Sequence, residues 1–305
     1  MSFTTIRMAI GRVVLVTGIL VLLFIPYLLW GTGLMTARSQ ADLRSQFVVD
    51  QHLAGSVPTK PPTPPKPGAA TGAPEVAPTI APPAIGGPVG IISIPRIGLS
   101  MMVVEGTDEV RLQAGPGHYP GTPLPGQAGN AAIAGHRTTY LAPFYHLDAL
   151  VPGDQIGLTT LQGNFVYTVT GSEVVDPSDV AVVAATATPQ LTLTTCNPRF
   201  SASQRLVVHA ALVASALAHP NVAPTTPATP APITHRTPPS ASSKNWGAAI
   251  LWGVAVAALT TVLWLAVRRT QGGRRALVMA IGVVGWSVVV FFFFDAVAPL
   301  LPASY

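Results

Sequence analysis

A single cysteine, Cys196, occurs in 305 residues, and a chain with one thiol has no internal disulfide to make. Paired metal-ligand spacings are missing too: the seven histidines form no HxxxH and the lone cysteine no CxxC, which removes the usual basis for a zinc site. No metal or other cofactor is expected. The formal net charge is +5, but the domain-sized stretch from Ile91 to Val213 carries five arginines against eight carboxylates, a local balance of −3. The basic residues therefore belong to the flanks of apolar segments and to linkers, and nothing in the chain supports a nucleic-acid footprint.

What the chain does have is long apolar runs. Val13–Trp30, Trp246–Val267 and Ala276–Phe294 each approach the ~20 residues that cross a bilayer. Arg7 and Arg12 precede the first, and residues 268–275, with four arginines and no acid, separate the other two. Short basic loops stay on the cytoplasmic side, so three transmembrane helices are expected, with residues 31–245 outside the cell. The first run is longer than the hydrophobic region of a cleavable signal peptide, which favours an uncleaved anchor. The expected localisation is the cell membrane, multi-pass.

Composition divides the outer portion. Val57–Pro88 is dominated by Pro, Ala, Thr and Gly, and residues 215–243 repeat that bias, which suits extended stalks in place of a packed core. The expected organisation is an anchor at 1–36, a stalk at 37–88, a folded domain at 89–214, a second stalk at 215–245 and a transmembrane hairpin at 246–305. The acidic group Glu105, Asp108 and Glu109 is explained equally by solvated surface carboxylates and by a calcium loop.

The domain reads as mainly β. Ile91–Ile94, Met101–Glu105, Ala131–Ala134, Gln155–Thr160, Phe165–Thr170, Leu191–Thr195 and Leu206–Val213 are short β-branched or apolar runs separated by Pro/Gly turns. That pattern favours a closed antiparallel barrel or a sandwich. Three reactive side chains fall at strand ends: His136 after an apolar strand and a glycine, Cys196 at the end of Thr192-Leu193-Thr194-Thr195-Cys196, and Arg205 at the start of the next strand. A thiol near its ordinary pKa of ~8.5 gains nucleophilicity from an imidazole partner and a nearby cation. Arg199 is a second cation near the thiol, but it lies in a turn, whereas Arg205 opens a strand that fixes its backbone.

Thr192-Leu193-Thr194-Thr195-Cys196 resembles the TLxTC signature of the sortases, the membrane-anchored cysteine transpeptidases of Gram-positive bacteria. Gly135-His136 is similar to their glycine-histidine pair and Arg205-Leu206-Val207-Val208 to the arginine after the cysteine. The sixty-residue separation of His136 and Cys196 suits the family. Tyr119–Gln127 and Gly135–Tyr140 resemble class E sortases of actinobacteria most, although the C-terminal apolar pair departs from that plan.

The resemblance implies a closed antiparallel sortase-type barrel and a mechanism. Cys196 attacks the Thr-Gly carbonyl of a C-terminal sorting signal of the LPxTG or LAxTG kind. His136 protonates the leaving amine, Arg205 stabilises the oxyanion, and an amine resolves the thioester. Tyr119, Thr194 and Thr195 are candidates for substrate contact. The implied partners are proteins bearing such signals and a peptidoglycan precursor or other amine. A pilin-polymerising sortase and a non-catalytic wall-spanning surface protein are the alternatives. The pairings of a cysteine L,D-transpeptidase are absent.

Overall fold

The computed structural model describes residues 11, 18–27, 31–53, 74–217, 246–271 and 273–298. They fall into two compact units: one joins the residues up to Gly31 with the C-terminal helices, and the other begins at Thr32. Most of the two stalk segments, at 54–73 and 218–245, lies outside the described residues.

Eight strands build the second unit: β1 (Pro88–Ile94), β2 (Leu99–Glu105), β3 (Gly117–His118), β4 (Asn130–Ala134), β5 (Gln155–Thr160), β6 (Gly163–Val175), β7 (Gln190–Asn197) and β8 (Gln204–Leu217). They close in the order β1-β2-β3-β4-β7-β8-β6-β5. Inward residues alternate with outward ones, so Ile92, Ile94, Val103, Ile133, Leu158, Phe165, Leu191, Leu193, Leu206 and Val208 fill the interior.

The barrel is mixed, which corrects the expectation of an antiparallel one. β2 pairs with β3 and β4 with β7 in parallel. Parallel neighbours need a crossover, which hairpin turns cannot supply. A short helix, α2 (Glu109–Ala114), makes the first crossing. The second runs from residue 135 to 189 and contains the whole β5–β6 hairpin. The sequence runs that announced strands carried no information about their direction.

A further helix, α1 (Thr32–Leu53), packs on the outside of β2. Outward-facing Met102 and Val104 are fully buried because Leu43 and Phe47 of α1 cover them. Residues 37–53, expected as the start of a stalk, are thus helix docked on the barrel. The helix is bonded as well as packed. Gln40 Nε2 donates to Met102 O at 3.0 Å and Ala114 O at 2.8 Å, and its Oε1 accepts from Met102 N–H at 2.7 Å. Residues 74–87 also follow the barrel surface: Ala77 N–H donates to Gly126 O at 2.8 Å, and Ser215 Oγ to Glu75 O at 2.7 Å.

In the first unit, α3 (Trp246–Arg269) and α4 (Gly273–Val297) are long and apolar enough to cross a membrane. Arg268 and Arg269 close the last turn of α3. The expected three spans are corrected to two candidates among the described residues. Of the run Val13–Trp30, only residues 18–27 are described, so the rest of the expected first span lies outside the described residues.

Candidate active site

The parallel pairing of β4 with β7 sets the site. Ala134 lies opposite Thr194, Gly135 N–H donates to Thr194 O at 3.1 Å, and Thr195 Oγ1 donates to Gly135 O at 2.7 Å. Two residues further on come His136, just past the end of β4, and Cys196, still on β7, so both leave the barrel at one rim. Glycine at 135 has a steric cause: a Cβ there would stand 2.6 Å from Phe144 Cδ2. Phe144 is fully buried, and its N–H donates to His136 O at 3.1 Å, which ties the loop after β4 back to the histidine.

Along β7, Leu191 and Leu193 point into the core, so Thr192, Thr194 and Cys196 face outward. Across the antiparallel β7–β8 ladder, Cys196 pairs with Arg205. Arg205 Nη1 lies 3.8 Å from Cys196 Sγ and donates to Ala202 O at 3.2 Å, which holds the guanidinium beside the sulfur. Burial pushes the Cys196 thiol up, and the nearby charges of Arg205 and Arg137 pull it only partly back. Burial also lowers His136, to about 4. At neutral pH the resting pair is thus thiol and neutral imidazole.

Tyr119 stands at the same rim. Its hydroxyl shares a 2.9 Å hydrogen bond with Thr194 Oγ1, and its phenol, raised by burial, also feels Arg205 and Cys196. Thr195 differs from its neighbour. Its hydroxyl is buried on Gly135 O, where it supports the loop.

Several participants are absent from the sequence-based candidates. Arg137 is 3% exposed in its side chain. Its Nη1 donates to Cys196 O at 3.0 Å and Asn197 Oδ1 at 2.8 Å, and its Nη2 lies 3.0 Å from Asp148 Oδ2. Asp148 also receives Arg199, at 2.8 Å to each carboxylate oxygen, while Arg199 lies over the Tyr145 ring. Arg199 is therefore directed to Asp148, and Arg205 to the sulfur. The only early signal for Arg137 was its place next to His136.

Glu105 and His118 form a buried couple beneath Tyr119. His118 Nδ1 lies 2.7 Å from Glu105 Oε2, and its Nε2 faces Pro123 O at 3.0 Å and Thr122 Oγ1 at 3.1 Å. Thr122 in turn donates to Tyr119 O at 2.8 Å. The acidic group considered for calcium is thereby divided, with Glu105 turned inward and Asp108 capping α2 through Arg111 N–H.

One part of the rim is strained. Tyr140, Leu141 and Ala142 have φ of 54°, 62° and 42°, a left-handed turn that costs L-residues about 1–2 kcal/mol each. The Tyr140 ring lies 4.9 Å from that of His136.

The arrangement joins a thiol, an imidazole and a guanidinium at one barrel rim. The sortase domain profile matches residues 92–213. Sortase SrtE1 of Streptomyces coelicolor is 29% identical over 221 residues, which cover 67% of this chain and 56% of the relative. The putative sortase YwpE of Bacillus subtilis is 33% identical over 88 residues, 28% of this chain and 86% of the relative. A solved sortase E mutant from Streptomyces avermitilis is 36% identical and covers 44% of this chain and 93% of its own, with a TM-score of 0.41. SrtE1 and sortase D of Bacillus subtilis are matched over 56% and 58% of their lengths, so the chain spans just over half of each. With its lone cysteine at the end of the strand that pairs in parallel with the histidine strand, the chain belongs to the sortase family.

Proposed function

We propose that the chain is a membrane-associated transpeptidase that cleaves the Thr-Gly bond of a C-terminal LPxTG- or LAxTG-like sorting signal and joins the upstream protein to a cell-wall amine. The observation that carries this reading is the placement of Cys196, His136 and Arg205 at one rim, with Arg205 Nη1 3.8 Å from the sulfur.

Because thiol and imidazole are both neutral at rest, proton transfer accompanies attack. His136 takes the Cys196 proton as the sulfur adds to the scissile carbonyl, and the resulting imidazolium gives that proton to the departing glycine amine. The Cα–carbonyl fragment stays on sulfur as a thioester. Arg205 donates to the tetrahedral oxyanion by a charge-assisted bond. An incoming amine loses its proton to His136, displaces the sulfur and regenerates the thiol. Tyr119 and Thr194, bonded to each other on the outer face, border the path to the cysteine and are assigned to substrate contact.

The basic turn between α3 and α4 supports placing that turn in the cytoplasm and the barrel outside. The test uses the full chain in detergent with sorting peptides of both motifs and a diglycine-type amine, with products identified by mass. A transpeptidation product lost in Cys196→Ala and His136→Gln supports the assignment. An unchanged product yield in Cys196→Ala sinks it.

A further inference from the structure

The first turn of α1 reaches the loop that carries His136. Tyr140 N–H donates to Thr32 Oγ1 at 3.3 Å. Gly33 approaches Leu141 so closely that a Cβ at 33 would stand 2.9 Å from Leu141 Cδ2. Both loop residues belong to the left-handed turn, and Tyr140 carries the ring over His136.

Consecutive left-handed L-residues persist only where the surroundings over-determine them. Some of that constraint is local: Ala142 N–H donates to Thr139 O at 2.8 Å and Tyr145 N–H to Ala142 O at 3.0 Å. At Tyr140 and Leu141, α1 adds a constraint from a distant part of the chain. The helix is itself fixed further along the same face. Thr36 Oγ1 donates to Gln113 O at 2.8 Å, Gln40 makes its three bonds to Met102 and Ala114, and Leu43 and Phe47 pack on β2. Thr32, Thr36, Gln40, Leu43 and Phe47 follow the spacing of one helix face. That face forms a strut whose far end is on the barrel wall and whose near end is on the catalytic loop.

We propose that α1 positions the catalytic imidazole: Thr32 and Gly33 hold the left-handed turn at residues 140–142, and with it the Tyr140 ring that covers His136. Thr32 and Gly33 are positioning residues and touch no reacting atom. The inference rests on the reading of His136 as the proton-transfer group. The charged and titratable groups gathered at this rim are Cys196, Arg205, Arg137, Asp148, Arg199, Tyr119 and Tyr140; none of them lies on α1, so a change in α1 reaches His136 through the loop.

The test is carried out on the full chain in detergent micelles with isotope-labelled histidine, the His136 ring signal being assigned by its loss in His136→Gln. Thr32→Val keeps the side-chain shape and removes the acceptor; Gly33→Ala pushes on Leu141; Thr32→Ser keeps the acceptor. In Thr32→Val and Gly33→Ala the His136 ring is expected to titrate at least about one pH unit higher than in the unaltered chain, as water gains access to it. Cleavage of a sorting peptide should show kcat reduced roughly tenfold with KM within about twofold, the mark of a misplaced catalytic group. Thr32→Ser should restore both. An unchanged His136 titration in both altered chains, with Cys196 still protected from maleimide, overturns the proposal, as does a Thr32→Ser chain that behaves like Thr32→Val. If the unaltered chain cleaves no sorting peptide, the functional reading fails, while the titration, which needs no substrate, still decides whether α1 governs the ring.

Discussion

Cys196 and His136 share a rim but are held by different means. Cys196 sits in β7, paired antiparallel with Arg205 of β8, while on its other side, past the last β4 partner at Thr194, Arg137 Nη1 donates to its carbonyl at 3.0 Å, so its backbone is fixed from both edges. His136 lies just beyond its strand, in a loop secured by Phe144, by Thr195 through Gly135, and by a strained turn that α1 touches. The nucleophile is built into regular structure, and the acid–base group is propped by tertiary contacts. Changes on the cysteine side should therefore act on chemistry with the fold intact, whereas changes on the histidine side should couple chemistry to stability.

The largest expected effect is on the cysteine side. Cys196→Ala removes the nucleophile from a site whose neighbours are fixed independently, so thioacylation and transpeptidation should disappear while thermal unfolding of the barrel shifts little. An acyl-enzyme or a transpeptidation product detected by mass spectrometry in Cys196→Ala would refute the assignment of the nucleophile.

Next in size is the contrast between two arginines. Arg205 is directed at the sulfur and Arg199 at Asp148. Lysine retains the charge and loses the planar fork, so Arg205→Lys should lower kcat/KM by ~100-fold or more, the scale of one lost oxyanion donor. Arg199→Lys should change it only slightly. Reversed effects in folded proteins would give the catalytic cation to the turn.

The two groups also predict opposite pH limits. His136 drops from its ordinary 6.5 to about 4 on folding, so the folded state binds the proton less readily than the unfolded chain. The stabilisation from its neutral form is complete above 6.5 and is lost as pH falls towards 4, a change of about 3 kcal/mol. Cys196 is raised above the ordinary thiol value, so its contribution is present below that value and is lost as pH rises past it. Denaturation midpoints measured from pH 7 to 4 should decline in the unaltered chain and decline less in His136→Gln. Equal slopes would remove burial of His136 as the cause.

The same division explains what the sequence disclosed. Leu191–Thr195 and Leu206–Val213 were recognisable as strands because β-branched and apolar residues recur there, and the strand ends placed Cys196 and Arg205 together. Met101–Val104 is an unbroken apolar run, which signals burial on both faces without naming the cover. The cover, α1, gave little signal, because two of its anchoring residues are Thr36 and Gln40, polar side chains that act through hydrogen bonds to remote backbone. Arg137 was hidden for a related reason. Its partners are Asn197, at the end of β7, and Asp148, eleven residues on in the same connection between β4 and β5, and no local pattern records a three-way ion and hydrogen-bond contact. The two-residue β3 lies in a Gly-Pro-rich stretch that reads as loop, which concealed the parallel crossing at β2.

The smallest expected effect tests how far the histidine side depends on α1. Gln40 is 7% exposed, and its amide meets both polar groups of Met102 and the carbonyl of Ala114. Gln40→Ala leaves those backbone groups without their side-chain partner in a place covered by Leu43 and Phe47, at a cost of about 1–3 kcal/mol. For a unit of this size that corresponds to a lowering of the midpoint by roughly 2–10 °C. The fall can be followed by heat-induced reaction of Cys196 with maleimide, which reports on the barrel and not on the membrane helices. Gln40 contacts Met102 and Ala114 and neither reacting group, and its link through α1 leads to the His136 loop, so below the midpoint the reactivity of Cys196 should stay as it was. A Gln40→Ala chain whose cysteine reacts faster even in the cold would show that α1 braces the nucleophile strand as well, and the contrast between a ladder-held thiol and a propped imidazole would no longer hold.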